Sequence, residues 1–508
     1  MASAGACGTT YMSTAWETRE VTLPADIAAA VTGFCADDEF VWLDSAPNDG
    51  PTLVCARPVA VIEQSGGQAA ELHVGGRVVE RSANGWALWE AVSRRLPRWP
   101  AVSLPLVPGW GGYAGVESAG QLERLPDPPP DDFALPILRW ALYDGGIVLD
   151  GQTRRATAVA APGLRAELGL RASEPIASLA ERWTAACAVG RVGPASLPAA
   201  SRTTAASLPA SAATEARPAG LWPPPRVTAE MPPDAYERMV RRALAYIAAG
   251  DIYQVNLCQR LRLDGLPEPL EAYAALRTAN PAPFGGVLRW ADGAILSSSP
   301  ELMLRVRGDE VLTSPIKGTR PRGASPADDA RLRAKLLASA KDAAELTMIV
   351  DLHRNDLGRV CRYGSVRVAA ARRVEAHPAV FHTVADVVGR LAPGHDALAA
   401  LRACFPAGSI TGVPKIRAQQ IIAELEPVAR GAYTGALGVL GLDGRLTCCV
   451  AIRIIQQRGS TGVLHVGGGI VADSQPAAEY AETLAKARGT LLALRTVAPD
   501  RTIPAAAR

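Results

Sequence analysis

Only five of the 53 basic residues are lysines, at positions 317, 335, 341, 415 and 486; the others are arginine. Of the two cations, only lysine loses its proton near neutral pH and can act as a nucleophile. Lys317 stands in TSPIKGTRPRG, between Pro315 and Gly318, whereas Lys335 and Lys341 fall in a polar helical run and read as surface cations. Two acidic pairs occur at i, i+3 spacing, which puts both carboxylates of a pair on one helix face. They are Asp342 with Glu345 and Glu479 with Glu482, with Lys486 one turn beyond the second pair. Isolated acidic pairs are usually solvated, yet AAELTMIVDL is mostly apolar around Glu345, and Glu479 follows a glycine-rich strand end. Two facing pairs suit a hard dication such as Mg²⁺, which keeps waters and takes a further ligand from an anionic substrate. In HVGGGIVADS, the N–H groups of Gly467, Gly468 and Gly469 could approach a substrate carboxylate, although a bulge or packing contact explains the glycines equally well. His382 in VFHTVADV alternates into a strand and, taken alone, reads as a core histidine.

Other chemistries are argued against. GWGGYAG at 109–115 superficially fits a dinucleotide fingerprint, but no strand–helix unit frames it. There is no Walker A loop, HExxH or GxSxG. A net charge of +3 over 508 residues, with no Lys/Arg-rich run, excludes an electrostatic nucleic-acid surface. Nine cysteines without a CxxC pair read as core hydrophobes of a reducing compartment. With no apolar leader and no membrane-length apolar run, the expectation is a cytoplasmic enzyme.

The elements that must position these residues follow from period and punctuation. Residues 1–25 read as an N-terminal extension, and 26–188 as a β-rich region of short strands such as FVWLD and GGIVLDG. An Ala/Ser/Pro-rich linker covers 189–230, a catalytic region 231–497, and a tail 498–508. A helix from Asp234 ends near Gly250. The stretch IYQVNLCQRL alternates, with Gln254, Asn256 and Cys258 on one strand face. A helix runs from Ser325–Pro326 to about Val350, a three-stranded meander spans 433–474, and Ser474–Pro476 opens a last helix. The expected class is α+β with mostly antiparallel sheets.

Six segments, in this order, resemble the chorismate-utilising enzymes: GDIYQVNLCQRL, SSSPELML, SPIKGTRPRG, VDLHRNDLGRVC, CFPAGSITGVPKIRAQQIIAELEP and GGGIVADSQPAAEYAETLAKA. The family includes the component I subunits of anthranilate synthase and aminodeoxychorismate synthase, and the isochorismate and salicylate synthases. The match covers about 234–494, and PGWGGYAGVES extends it weakly towards the N-terminus. The resemblance implies two mostly antiparallel sheets packed as a sandwich with helices outside. It implies Mg²⁺ held by Glu345 and Glu482, backed by Asp342 and Glu479. Glu301 resembles the general acid that protonates the departing 4-hydroxyl of chorismate. Arg453, Tyr433 and Gly467–Gly469 resemble the clamp on the enolpyruvyl side, with Lys486, Ser409, Thr411 and His382 lining the pocket.

Lys317 then selects the branch. Where this chain has Lys317, anthranilate synthases generally carry a small residue; in aminodeoxychorismate synthases that lysine is the proposed nucleophile. The implied function is aminodeoxychorismate synthase component I, on the way to p-aminobenzoate and folate. The alternatives are anthranilate synthase component I and a non-catalytic chorismate-binding subunit. Gln254 replaces the lysine that serves as base for water in salicylate and isochorismate synthases. Asp342 is shorter than the family's usual glutamate, and Cys258 replaces its usual serine. No class I glutamine amidotransferase signature occurs in the sequence, so a separate glutaminase is the expected source of ammonia. Asp44 and Ser45 in VWLDSA resemble the start of the family's tryptophan site.

Overall fold

The computed structural model describes residues 15–495 apart from 37, 46–49, 172, 173, 190–221 and 379. Most of the 189–230 stretch and the 498–508 tail therefore lie outside the described residues. Two twelve-stranded sheets, with every strand pair antiparallel, form the body. Helices cover the outer face of each sheet. Three apolar cores result: one between the sheets, built from Val41, Leu53, Tyr113, Leu437 and their neighbours, and one under each helical layer.

Both sheets mix strands from either side of the 189–230 stretch. Phe40–Asp44 pairs with Phe284–Trp290 in the first sheet, and Gly109–Ala114 with Ala436–Gly441 in the second. The halves read as separate regions thus share their hydrogen-bond ladders. Glu17–Val21 and Arg226–Ala229 are edge strands of the first sheet.

Local signals explain the site-bearing elements. Helix Pro233–Ala248 starts with proline in its first turn and buries Tyr236, Met239, Val240 and Ala243; Gly250, at φ +83°, takes the chain out of it. Strand Gln254–Asp264 is buried on both faces over its first eight residues. Helix Pro476–Ala493 buries Tyr480, Leu484, Ala487 and Leu491 along one stripe, and each leucine contributes about 2 kcal/mol.

Two expectations are corrected. The helix read from 325 to 350 is two, Pro326–Ala338 and Ala340–Gly358. Ser339 breaks it by leaving helical ψ and capping the second helix, its side chain accepting from the Asp342 N–H. The meander is two hairpins in different sheets: Ala436–Gly441 with Leu446–Val450, and Ile454–Arg458 with Thr461–Ile470. The chain changes sheets across Ala451–Arg453, and Arg453 adopts φ +52° there. Among the described residues no helix is long and apolar enough to cross a membrane.

Candidate active site

Lys317 lies on Ile316–Pro321, a strand at the end of the second sheet. Its register against Val380–Arg390 slips from Ile316 opposite Val384 to Thr319 opposite His382, one extra residue at Lys317–Gly318. Gly318 makes the bulge possible. It holds φ +85°, and a Cβ there would sit 2.9 Å from both Asp342 Cγ and Thr383 Oγ1. The Thr383 hydroxyl donates to the Lys317 carbonyl and fixes the strand. Gly318→Ala is therefore expected to lower stability by about 1–2 kcal/mol from the backbone alone. The denaturation midpoint checks this, and activity should fall with it as the lysine is re-aimed.

The Lys317 Nζ donates to the Ser409 carbonyl at 3.3 Å. Burial lowers its pKa from the usual lysine range, against the opposing pull of Glu345 and Glu301. Glu301 is 3% exposed and accepts from the Ser409 hydroxyl. Burial raises its carboxyl to about 7, a value the nearby Ser409, Lys317 and Arg453 hold down. One short segment, Gly408–Ile410, thus ties the amine and the acid together through the two ends of Ser409. His382 shares its Nδ1 with Thr319 Oγ1 at 2.9 Å, its Nε2 is buried without a partner, and burial holds it down to about 3, so the ring is neutral. Arg453 is half-buried and makes no ion pair among the described residues, while Glu301 and His382 both feel its charge.

The acidic pairs frame the other side. Helix Ala340–Gly358 carries Asp342 and Glu345, and helix Pro476–Ala493 carries Glu479 and Glu482. Asp342 pairs with Arg320 at 3.0 Å, Glu345 with Lys341 at 3.8 Å, and Glu482 with Lys486 at 2.8 Å. Glu479 accepts from Ser474 at 2.6 Å; burial raises its pKa, while Lys486 lowers that of Glu482. A Cβ on Gly468 would lie 3.1 Å from Glu479 Oε2 and 3.9 Å from Glu482 Oε1, so the missing side chain leaves a space that two carboxylates face. Lys341 acts on Glu345, Glu479 and Glu482 together, so a cation already stands where the two helices' acids meet. This oxygen-rich, partly open donor set fits a dication that keeps some of its waters. Among the described residues, no three His, Cys, Asp or Glu side chains enclose an ion by themselves.

Gly467–Gly469 lie on Thr461–Ile470, paired on one edge with Asn256–Cys258, while the hairpin on the other edge ends at Val463. Along that second edge no strand pairs beyond Val463 among the described residues, and Lys486 donates to the Gly467 carbonyl at 2.9 Å. Gln254 is fully buried with neither end of its amide partnered. Its Nε2 lies 3.1 Å from where a Cβ on Gly469 would sit, and Lys317 Nζ lies 3.6 Å from the same point.

Not every expected residue converges. Tyr433 stacks on His465 and lies under Arg430, and the Thr411 hydroxyl turns to the Ala407 carbonyl. Asp44 and Ser45 line a separate cavity of about 790 Å³ between the sheets, where both Asp44 oxygens are already engaged, by Arg277, Tyr273 and Thr52.

Residues 38–492 match the model of the chorismate binding enzyme family. The chain belongs to that family. It is 40% identical over 458 residues to anthranilate synthase component 1 of Streptomyces coelicolor, covering 88% of this chain and 84% of the relative. It is also 38% identical over 387 residues to aminodeoxychorismate synthase component 1 of Klebsiella aerogenes, covering 76% and 77%. The crystal structure of anthranilate synthase component I from Streptococcus pneumoniae superposes with a TM-score of 0.71 at 28% identity, over 88% of this chain and 93% of that one. These two relatives carry the names of different synthases, anthranilate synthase and aminodeoxychorismate synthase. Thr319, Thr383 and Arg320, which hold the lysine strand, were not among the residues singled out from sequence. The alternation of FHTVADV was the available signal, because it sets His382 and Thr383 on opposite faces of the neighbouring strand.

Proposed function

We propose that this chain aminates chorismate as component I of an aminodeoxychorismate synthase, with Lys317 as the nucleophile and ammonia supplied by a separate glutaminase. The observation that carries the reading is the Lys317 amine itself. It is half-buried beside Glu301 and Ser409, and burial shifts it towards the neutral, nucleophilic form. Glu301, protonated below about pH 7, gives its proton to the departing 4-hydroxyl, which leaves as water. The lysine adds at ring carbon 2 as both ring double bonds shift towards carbon 4, and loses a proton. Ammonia then adds at carbon 4 and loses a proton, both double bonds shift back, and the lysine leaves with a proton restored. Arg453, free of a carboxylate partner among the described residues, faces a substrate carboxylate. Bound Mg²⁺ would hold the ring carboxylate and withdraw electron density. Glu345 and Glu482 would be its ligands, with Asp342 and Glu479 behind them. Glu345→Gln and Glu482→Gln are each expected to raise the Mg²⁺ concentration needed for half-maximal activity roughly tenfold or more. An unchanged titration would remove them from the metal site.

Anthranilate formation is the second reading, favoured by the 40% identity with the Streptomyces coelicolor protein. Product analysis with chorismate, Mg²⁺ and ammonium separates the two. The proposal expects a product that the downstream lyase converts to p-aminobenzoate. Fluorescent anthranilate would establish the second reading. Untouched chorismate would indicate an obligatory partner subunit or a non-catalytic chorismate-binding subunit.

A further inference from the structure

In a chain whose cations are nearly all arginine, one buried ion pair is built on a lysine. Lys415 Nζ donates to Asp356 at 2.6 Å, with the two side chains 11% and 5% exposed. The same ammonium donates to the Cys404 carbonyl at 3.2 Å. Cys404 ends helix Ala397–Cys404 and Lys415 opens helix Lys415–Leu425, so one cation gathers both ends of the loop 405–414. A compact ammonium with three donors suits the gap between a carboxylate and a carbonyl better than a planar guanidinium.

Inside that loop is the turn Gly408–Ile410, where the Ser409 carbonyl accepts from Lys317 Nζ and the Ser409 hydroxyl donates to Glu301. Asp356 belongs to helix Ala340–Gly358, about 16 Å along the axis from Glu345. The helix lies close against the turn, since a Cβ on Gly408 would overlap the Leu352 side chain. Its His353 shares Nδ1 with Thr313 Oγ1 at 2.8 Å, on the strand that leads into the Lys317 strand. Burial, with the charge of Lys415 adding to it, holds the His353 ring down to about 3, so Asp356 alone carries the counter-charge. The later half of the loop is laced to the first sheet. There the Asn256 N–H donates to the Thr411 carbonyl and the Tyr253 N–H to the Val413 carbonyl, both at 2.8 Å. The earlier half is tied at the Lys415 junction. Replacing a buried ion pair by apolar residues is often neutral for stability, which leaves geometry as the pair's contribution.

We propose that Lys415 and Asp356 are positioning residues for the reaction, fixing the loop 405–414 against helix Ala340–Gly358 so that Ser409 holds the Lys317 amine and the Glu301 acid together. The inference rests on the roles given to Lys317 and Glu301 above. Both residues of the pair act through Ser409. Its hydroxyl lowers the Glu301 pKa, as do Lys317, the Ile316 N–H and Arg453. Loosening the loop withdraws the first of these and leaves the others in place. The Glu301 pKa then rises, and the alkaline limb of the kcat profile moves to higher pH.

The test is the pH profile of kcat for the full chain with chorismate, Mg²⁺ and ammonium chloride. Lys415→Met alone would strand a buried carboxylate, so the variant is Lys415→Met with Asp356→Leu, which removes both charges together. At neutral pH its kcat is expected to fall about tenfold through misplacement of the acid and the amine. KM for chorismate should stay within about threefold, and the alkaline limb should move up by about half a pH unit or more. Ser409→Ala should move the limb the same way, and adding it to the paired variant should move the limb no further. A limb that stays at the wild-type pH in the paired variant overturns the proposal, whatever its rate. So does a limb that moves additively with Ser409→Ala. A wild-type profile with no alkaline limb near 7 would instead overturn the acid role of Glu301 on which the proposal rests.

Discussion

Lys317→Ala is expected to lose aminodeoxychorismate formation by on the order of a thousandfold or more, while chorismate still binds. The size of the loss follows from the lysine's role. It opens the covalent path by which nitrogen arrives at the carbon that lost the hydroxyl. Substitution leaves Glu301, Arg453 and the two carboxylate pairs unaltered, so KM for chorismate should change little. Residual turnover should shift towards addition of ammonia at carbon 2, the anthranilate side of the family. Full activity of the variant would remove Lys317 from the chemistry and leave it as a hydrogen-bond donor to Ser409.

Glu301→Gln is expected to cost about 10²–10⁴-fold in kcat, the usual contribution of a positioned general acid. Hydroxide is a poor leaving group, and Glu301 is the acid beside Lys317 whose burial keeps it protonated to about pH 7. The sign of the pH dependence follows. Glu301 carries its proton below about 7, so this limb of the kcat profile is level there. It falls roughly tenfold per pH unit above that value as the carboxylate forms. Deprotonation of Lys317 favours the opposite direction, because the neutral amine is the nucleophile. The two groups therefore bound a bell, and the Gln variant should lose its alkaline limb. A variant that keeps both rate and limb would assign the proton transfer elsewhere.

Residue type and spacing made much of this site legible. Lysine is rare in the chain, which isolates Lys317, and i, i+3 acids in an apolar setting isolate Glu345. The strict alternation of IYQVNLCQRL predicts that Gln254, Asn256 and Cys258 share a face, and they do. What was not legible depends on distant or subtle contacts. Ser339 lies within one continuous polar run, and its capping of Asp342 divides a helix that periodicity alone would join. The apolar run CCVAIRII conceals a passage between sheets, and the positive φ that marks it falls on an arginine, where no glycine signals it. Glu117 and Arg430 are 313 residues apart, and the Arg430 N–H donates to the Glu117 carboxylate beside the pairing of Gly109–Ala114 with Ala436–Gly441.

A covalent bond from Lys317 to the substrate is read by intact-protein mass spectrometry after mixing the protein with Mg²⁺ and chorismate in the absence of ammonia. The expected result is a mass gain equal to chorismate less one water, mapped by peptide digestion to the segment containing Lys317 and discharged on adding ammonium. Wild-type protein that aminates chorismate to aminodeoxychorismate in a parallel reaction, yet shows no such gain at any quench time, would contradict it.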